Sequence, residues 1–313
     1  MQEEIFVSGR NIPNIDPHLE VWHWPISIDL FFGGLAAGLL FFAALFYLLN
    51  KEDKYPAIIK YAPIVAPIGI TIALICLFYD LTHKPYFWRL YLTFKLESPM
   101  SFGSWVLLLI TPLSFLWVFS YIDTLFPKLK FNNMLIVNLK KFAIKYRKIM
   151  AILLIPLSIS LGMYTGILLS AFNARPLWNN AILGPLFLSS GLTTASAVIL
   201  YFVRSENERN LFSKITLLML AIQLFLMTHM ILGYYAGSEV QLEAIELLIG
   251  GEFTIMFVGF VLILGLIIPL VIQIFDVNGY RIPVLVTATL IILGGLIFRF
   301  VMVDAGQITR YLY

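Results

Sequence analysis

Apolar residues in this chain do not alternate with polar ones; they run on for twenty or more positions at a time, separated by short polar stretches. Eight such runs cover 24–49, 58–81, 100–121, 149–171, 181–203, 211–235, 250–275 and 284–303. Roughly 20 apolar residues wound as a helix cross a hydrocarbon layer of about 30 Å. All eight runs are too long for barrel strands, which would also alternate in polarity. The pattern predicts an all-α integral membrane fold with eight transmembrane helices in one membrane domain over residues 24–303. A segment at 1–23 and a tail at 304–313 flank it. Pro63 and Pro67 in the second run and Pro269 in the seventh predict kinks whose freed carbonyls are satisfied by neighbours.

Composition agrees with that picture. Of 313 residues, 60% are hydrophobic and 12% charged, with a mean hydropathy of +0.90, outside the range of soluble globular domains. The amino-terminal stretch has no basic start, apolar stretch or small-residue cleavage site, so it reads as retained rather than as a secretion signal. A single cysteine, Cys76, excludes a disulfide framework, iron-sulfur ligation or a cysteine zinc site built by this chain alone. The four histidines are His18, His23, His83 and His229, and only His229 falls well inside a run, so a bis-histidine haem is not expected. Any redox centre must therefore be borrowed or diffusible.

Charge then orients the bundle. Fourteen of the 21 Lys and Arg residues lie in the loops and flanks after the odd-numbered runs, seven of them after the third: Lys128, Lys130, Lys140, Lys141, Lys145, Arg147 and Lys148. The other face holds Arg10, Lys84, Arg89, Lys95, Arg175 and Arg310. The positive-inside bias puts both termini outside, with the basic loop against lipid headgroups.

With that orientation, residues can be assigned depths at about 1.5 Å per residue. Asp29 then lies about 7 Å in from the outer face, His229 about 9 Å, Arg299 about 7 Å and Tyr164 about 10 Å. His23, Asp80, His83, Glu252 and Asp304 fall at the outer ends of the runs. Charged groups in lipid are expensive unless paired or hydrated, so a gathering of them in one leaflet marks a site. The competing reading is structural, for instance Arg299 paired with Asp29 or Glu252. A quinol that loses two electrons also loses two protons. Its oxygens need His, Tyr or carboxylate partners while its tail needs lipid, and an outer-leaflet site supplies both. A transporter would instead concentrate charge at the midplane, where none is found.

Five segments recur in a specific order: WHWPISIDLFFGGLAAG at 22–38, DLTHKPYFWRL at 80–90, SPMSFGSW at 98–105, GMYTGILLS at 162–170 followed by RPLW at 175–178, and FRFVMVDAGQ at 298–307. Together they resemble the NrfD/PsrC family, the membrane subunits of polysulfide, sulfur, tetrathionate and related reductases, over essentially the whole chain. The resemblance implies two four-helix bundles without haem or metal in this chain and a menaquinone or ubiquinone site near the outer face. The implied partners are a four-cluster iron-sulfur subunit and a molybdopterin catalytic subunit, with room for a dimer of complexes and no nucleic acid. Carried over residue by residue, it points to Tyr164, His23 and Asp80 as the reactive groups. Asp29, Arg299, His229, Glu252 and Arg175 stand behind them as quinone-binding, proton-routing or pairing residues. The expected setting is the cytoplasmic membrane of a prokaryote. With no buried acid or histidine series in the inner halves, electroneutral turnover is expected. LFFGGLAAG in the first run and LFLSSGLTTAS at 186–196 share spacing and direction, which suggests two parallel halves.

Overall fold

The computed structural model describes residues 22–95, 97–129, 133–280 and 283–309. The expectations for Arg10, His18, Lys130 and Arg310, and for residues 1–21 and 310–313, lie outside the described residues. Eight helices among them are long and apolar enough to cross a membrane: α1 Trp24–Leu48, α2 Ala57–Asp80, α3 Pro99–Phe119, α4 Arg147–Ser170, α5 Leu183–Phe202, α6 Glu206–Tyr235, α7 Ile255–Val277 and α8 Val284–Ile308. No strand occurs among the described residues.

Where these bounds depart from the apolar runs, local chemistry explains the difference. The sixth helix starts at Glu206 rather than near 211 because Ser205 caps it, its side chain accepting from the Glu208 amide at 3.2 Å, with Glu206 and Glu208 in the first turn. Such a cap satisfies a free amide, and acids in that turn suit the helix dipole. The seventh begins at Ile255 rather than 250 because Gly250 adopts φ +117°, a left-handed turn that suits glycine. Polar Asp304 and Gln307 continue α8 to Ile308, beyond the apolar run.

Proline leaves the spans continuous. Wide π-helical turns at Ala57–Tyr61 and a tight turn at Ala62–Ile64 carry α2 past Pro63. In α7, π-helical winding over Ile255–Ile267 precedes Pro269. Local rewinding of this kind accommodates the missing proline N–H. Both spans stay single helices, as the kink reading expected.

Helices α1 and α5 occupy the middle. The first packs on α2, α4, α5 and α8; the fifth on α1, α4, α6 and α8. Their mutual crossing is backbone-close: a Cβ added at Gly191 would lie 2.6 Å from the Gly34 carbonyl, and one at Gly38 would lie 2.6 Å from the Gly191 carbonyl. Within lipid there is no hydrophobic drive between helices, so small residues that let backbones touch supply the packing. The same device joins α7 to α8, where a Cβ at Gly265 would meet Gly294 Cα at 2.7 Å.

The starts of α1, α3, α5 and α7 share one end of the bundle, called here the Trp24 face, and the opposite end is the Leu48 face. On the Leu48 face Arg147 donates to the Ser120 carbonyl at 2.6 Å, stacks over the Tyr121 ring at 4.0 Å and approaches Glu52 at 3.6 Å. Burial raises the Tyr121 phenol above its ordinary pKa. Asp276 accepts from Arg209 at 2.7 Å and Ser213 at 2.6 Å, fastening α7 to α6. Glu208 accepts from the Ala57 amide at 2.9 Å, fastening α6 to α2. The helix Met134–Lys145 lies between α3 and α4, with Leu135, Leu139 and Phe142 exposed in one stripe and Lys141 and Lys145 beside it.

Candidate functional site

A cavity of about 330 Å³ opens among α1, α2, α3, α4 and the connection between α2 and α3. Most of its wall is apolar, from Ile26, Leu74, Leu77, Phe78, Leu107 and others, while Asp29, Asp80, Tyr91, Ser104 and Tyr164 supply polar groups. Volume and lining both fall within the ordinary range for small-molecule sites.

Each polar group is placed for a physical reason. Tyr164 on α4 is 9% exposed and lies across Gly103 of α3, where any Cβ would overlap its ring. Gly103 is therefore what admits the phenol. Asp29 on α1 is 8% exposed and lies close enough to Tyr164 to act on it electrostatically. Asp80 ends α2, half-buried, within electrostatic range of His23 and Lys84.

The roof of the cavity is the α2–α3 connection, with Phe87, Leu90 and Tyr91 facing in. Two serines of the SPMSFGSW segment stitch it to α3. Ser101 Oγ donates to the Thr93 carbonyl at 2.9 Å, and Ser104 Oγ donates to the Leu90 carbonyl at 2.9 Å. Ser98 caps α3. Partial burial within this roof holds the Tyr91 phenol above its ordinary pKa. Sequence reasoning did not single out Tyr91, Gly103 or Ser104. The last two sit inside a quoted motif, and nothing in the pattern around Tyr91 marks it.

The other predicted residues lie elsewhere. His23 is exposed and outside the cavity lining, although its neighbour Trp22 lines it. Arg299 is 1% exposed in the α1–α5–α8 core; it donates to Ser190 Oγ at 3.1 Å and to the Phe187 carbonyl at 3.2 Å, and its guanidinium lies 4.2 Å from the Phe187 ring centre. No carboxylate among the described residues pairs with it, so the Arg299–Asp29 or Arg299–Glu252 pair considered from sequence does not form; serine, carbonyl and ring partners take its place. His229 is exposed and stacks on Phe225 at 6.1 Å. Glu252 is exposed beyond the start of α7. Arg175 is half-buried, donates to the Thr309 carbonyl at 2.8 Å, and has its pKa lowered by burial. The structure thus brings Tyr164, Asp29 and Asp80 to one cavity, with His23 beside it, and leaves Arg299, His229, Glu252 and Arg175 outside.

A second cavity of about 680 Å³ adjoins the first on the Trp24 face and is lined by His83, Arg89, Lys95 and Ser98 among others. Among the described residues no group of three or more His, Cys, Asp or Glu side chains could hold a metal ion.

Eight membrane-length helices, four of them around an apolar cavity whose polar groups are two carboxylates, two phenols and a serine, define a polytopic membrane protein. The family described as polysulphide reductase, NrfD, matches residues 13–310, and the chain belongs to it. It is 28% identical to the C subunit of the polysulfide reductase of Wolinella succinogenes, over 92% of this protein and 94% of that one. It is also 30% identical to protein NrfD of Escherichia coli strain K12, over 92% and 96% respectively. The NrfD homolog of Haemophilus influenzae is 26% identical over 95% of this protein and 98% of its own length.

Proposed function

We propose that this chain is the quinone-reactive membrane subunit of a respiratory oxidoreductase and that the cavity beneath the α2–α3 connection receives the quinol head. The observation that carries this reading is the chemistry of that cavity: an apolar enclosure with Tyr164 and Asp29 in its buried depth and Asp80 toward the Trp24 face. Quinol supplies two electrons and two protons. Tyr164 is placed to hydrogen-bond one oxygen, whose proton passes to Asp29 beside it, and Asp80 to take the proton of the other, while both electrons leave for the partner subunit. Exposed His23, next to Asp80, passes protons to water. It acts as a relay rather than as the direct oxygen ligand expected from sequence. Leu74, Leu77 and Phe78 of α2 and Met100 and Leu107 of α3 give the isoprenoid tail an apolar way out to lipid.

In this reading the electrons pass to a four-cluster iron-sulfur subunit and from it to a molybdopterin subunit, both on the Trp24 face. The terminal reaction is reduction of polysulfide, sulfur or tetrathionate, the first of which is the substrate named for the Wolinella relative. The Trp24 face is then the outer face of a prokaryotic cytoplasmic membrane, and protons leave on the side where they are released. The alternative is a redox-inactive anchor, and Tyr164→Phe separates the two. We expect quinol-linked turnover to fall by about two orders of magnitude, the usual reach of one acid-base group, while the complex assembles at the normal level. Unchanged turnover would return the chain to the role of an anchor.

A further inference from the structure

We propose that Gln307 is a positioning residue for the cavity, acting through the backbone of Trp22. The proposal rests on the quinol-binding reading of that cavity and adds a determinant of affinity on a helix that does not line it.

The side-chain amide of Gln307 reaches Trp22 through both its oxygen and its nitrogen. Its Oε1 accepts from the Trp22 amide at 2.7 Å, and its Nε2 donates to the Trp22 carbonyl at 2.8 Å. Trp22 stands just before the first turn of α1, outside any helical ladder, so its backbone has no regular partners of its own. Trp22 lines the cavity.

The Trp22 ring is held as well. Trp22 meets Phe172 edge-on at 4.9 Å and Trp178 at 5.2 Å. Trp178 is itself locked: its indole N–H donates to the Met302 carbonyl at 2.7 Å, and its ring covers Gly306, where any Cβ would overlap it. Arg175 holds the Thr309 carbonyl, and the Leu177 carbonyl accepts from the Tyr234 hydroxyl at 2.5 Å. Three segments that share no chemistry of their own, WHWP, RPLW and the DAGQ end of α8, thus form one clasp on the Trp24 face. None of its α8 members lines the cavity. Their effect on the ligand must pass through Trp22.

A glutamine is suited to this task because it presents one donor and one acceptor in a plane. Leucine of similar size presents neither and leaves two backbone groups of Trp22 to find other partners. With the wall loosened, ring packing against the bound head weakens while Tyr164, Asp29 and Asp80 keep their places. The affected quantity is affinity, not the chemical step.

The test compares wild type, Gln307→Leu, Gln307→Glu and a structural control, Thr289→Val, in the full complex in membranes. Thr289 bonds Tyr201 at 2.7 Å in the Leu48 half of α8, away from the cavity. With menadiol as the probe, Gln307→Leu should raise KM about tenfold at nearly constant kcat, as expected for the loss of about 1.4 kcal/mol of ligand binding. Tryptophan fluorescence quenching by menadione should saturate at a correspondingly higher concentration. Gln307→Glu keeps the acceptor and loses the donor, so it should shift KM in the same direction, and it serves if the leucine variant does not assemble. Thr289→Val should shift neither quantity. Unchanged KM and quenching in an assembled Gln307 variant, or losses that Thr289→Val shares, would overturn the proposal. An absence of saturable quenching in the wild type would instead overturn the quinol-binding reading on which it rests.

Discussion

Tyr164 and Gly103 form a pair in which one residue's shape depends on the other's lack of a side chain. We expect Gly103→Ala to push the phenol out of place at an overpacking cost of about 1–3 kcal/mol. Quinol turnover should drop by more than the loss of assembled protein accounts for, as read by activity per assembled complex. Arg299 illustrates the opposite case, a buried cation whose partners are a hydroxyl, a carbonyl and two aromatic rings. Desolvating a charge without a counter-charge is costly, and apolar replacements of buried ionic groups are often neutral or stabilising. Arg299→Met should therefore leave the melting temperature of the purified protein unchanged or raised, whereas Arg299→Glu, which puts a carboxylate against the Phe187 carbonyl, should prevent assembly. A fall in the melting temperature of Arg299→Met would show that its hydrogen bonds outweigh the desolvation.

Among elements, the α1–α5 crossing is one where two backbones come into direct contact. The two segments that resemble each other in sequence, around Gly34–Gly38 and Gly191–Ala195, are the ones that meet there. We expect Gly191→Leu to abolish assembly, measured by recovery of the complex from detergent-solubilised membranes, because the added side chain would enter the Gly34 backbone. Leucine at Gly233 or Gly259, where an added Cβ meets nothing within 4 Å, should be tolerated. The roof over the cavity depends on a lighter attachment, the hydroxyls of Ser101 and Ser104, and its helical turn Arg89–Leu92 has no buried residue.

At the scale of the whole molecule, the two faces differ in charge and in what they hold. The Leu48 face has the basic loop and the Glu52, Arg147, Glu208 and Asp276 fastenings; the Trp24 face has the largely apolar cavity, the basic-lined one beside it and the clasp. The positive-inside bias predicts that cysteine introduced at Lys141 is labelled by an impermeant maleimide only from the cytoplasmic side, and cysteine at Glu239 only from the opposite side. Cys76, buried, should give no background. Labelling in the reverse pattern would invert the orientation and move the proposed redox partners to the cytoplasm. For the reconstituted complex we expect no membrane potential during turnover, because the cavity and its proton-accepting groups all lie in the Trp24 half.

Helix number, approximate bounds and family were legible in the sequence, because lipid imposes a one-dimensional rule: each crossing must be long, apolar and internally hydrogen-bonded. Depth follows from counting along a helix, so Asp29, Asp80 and Tyr164 could be assigned to one layer before any fold was known. Which of the residues in that layer share a cavity depends on the azimuth of each helix and on which helices are neighbours, and no count along the sequence holds that information. Tertiary structure alone therefore separated Asp29 from Arg299, turned His229 outward, placed Tyr91 in the roof, and gave Gln307, 285 positions from Trp22, both of that residue's backbone groups to hold.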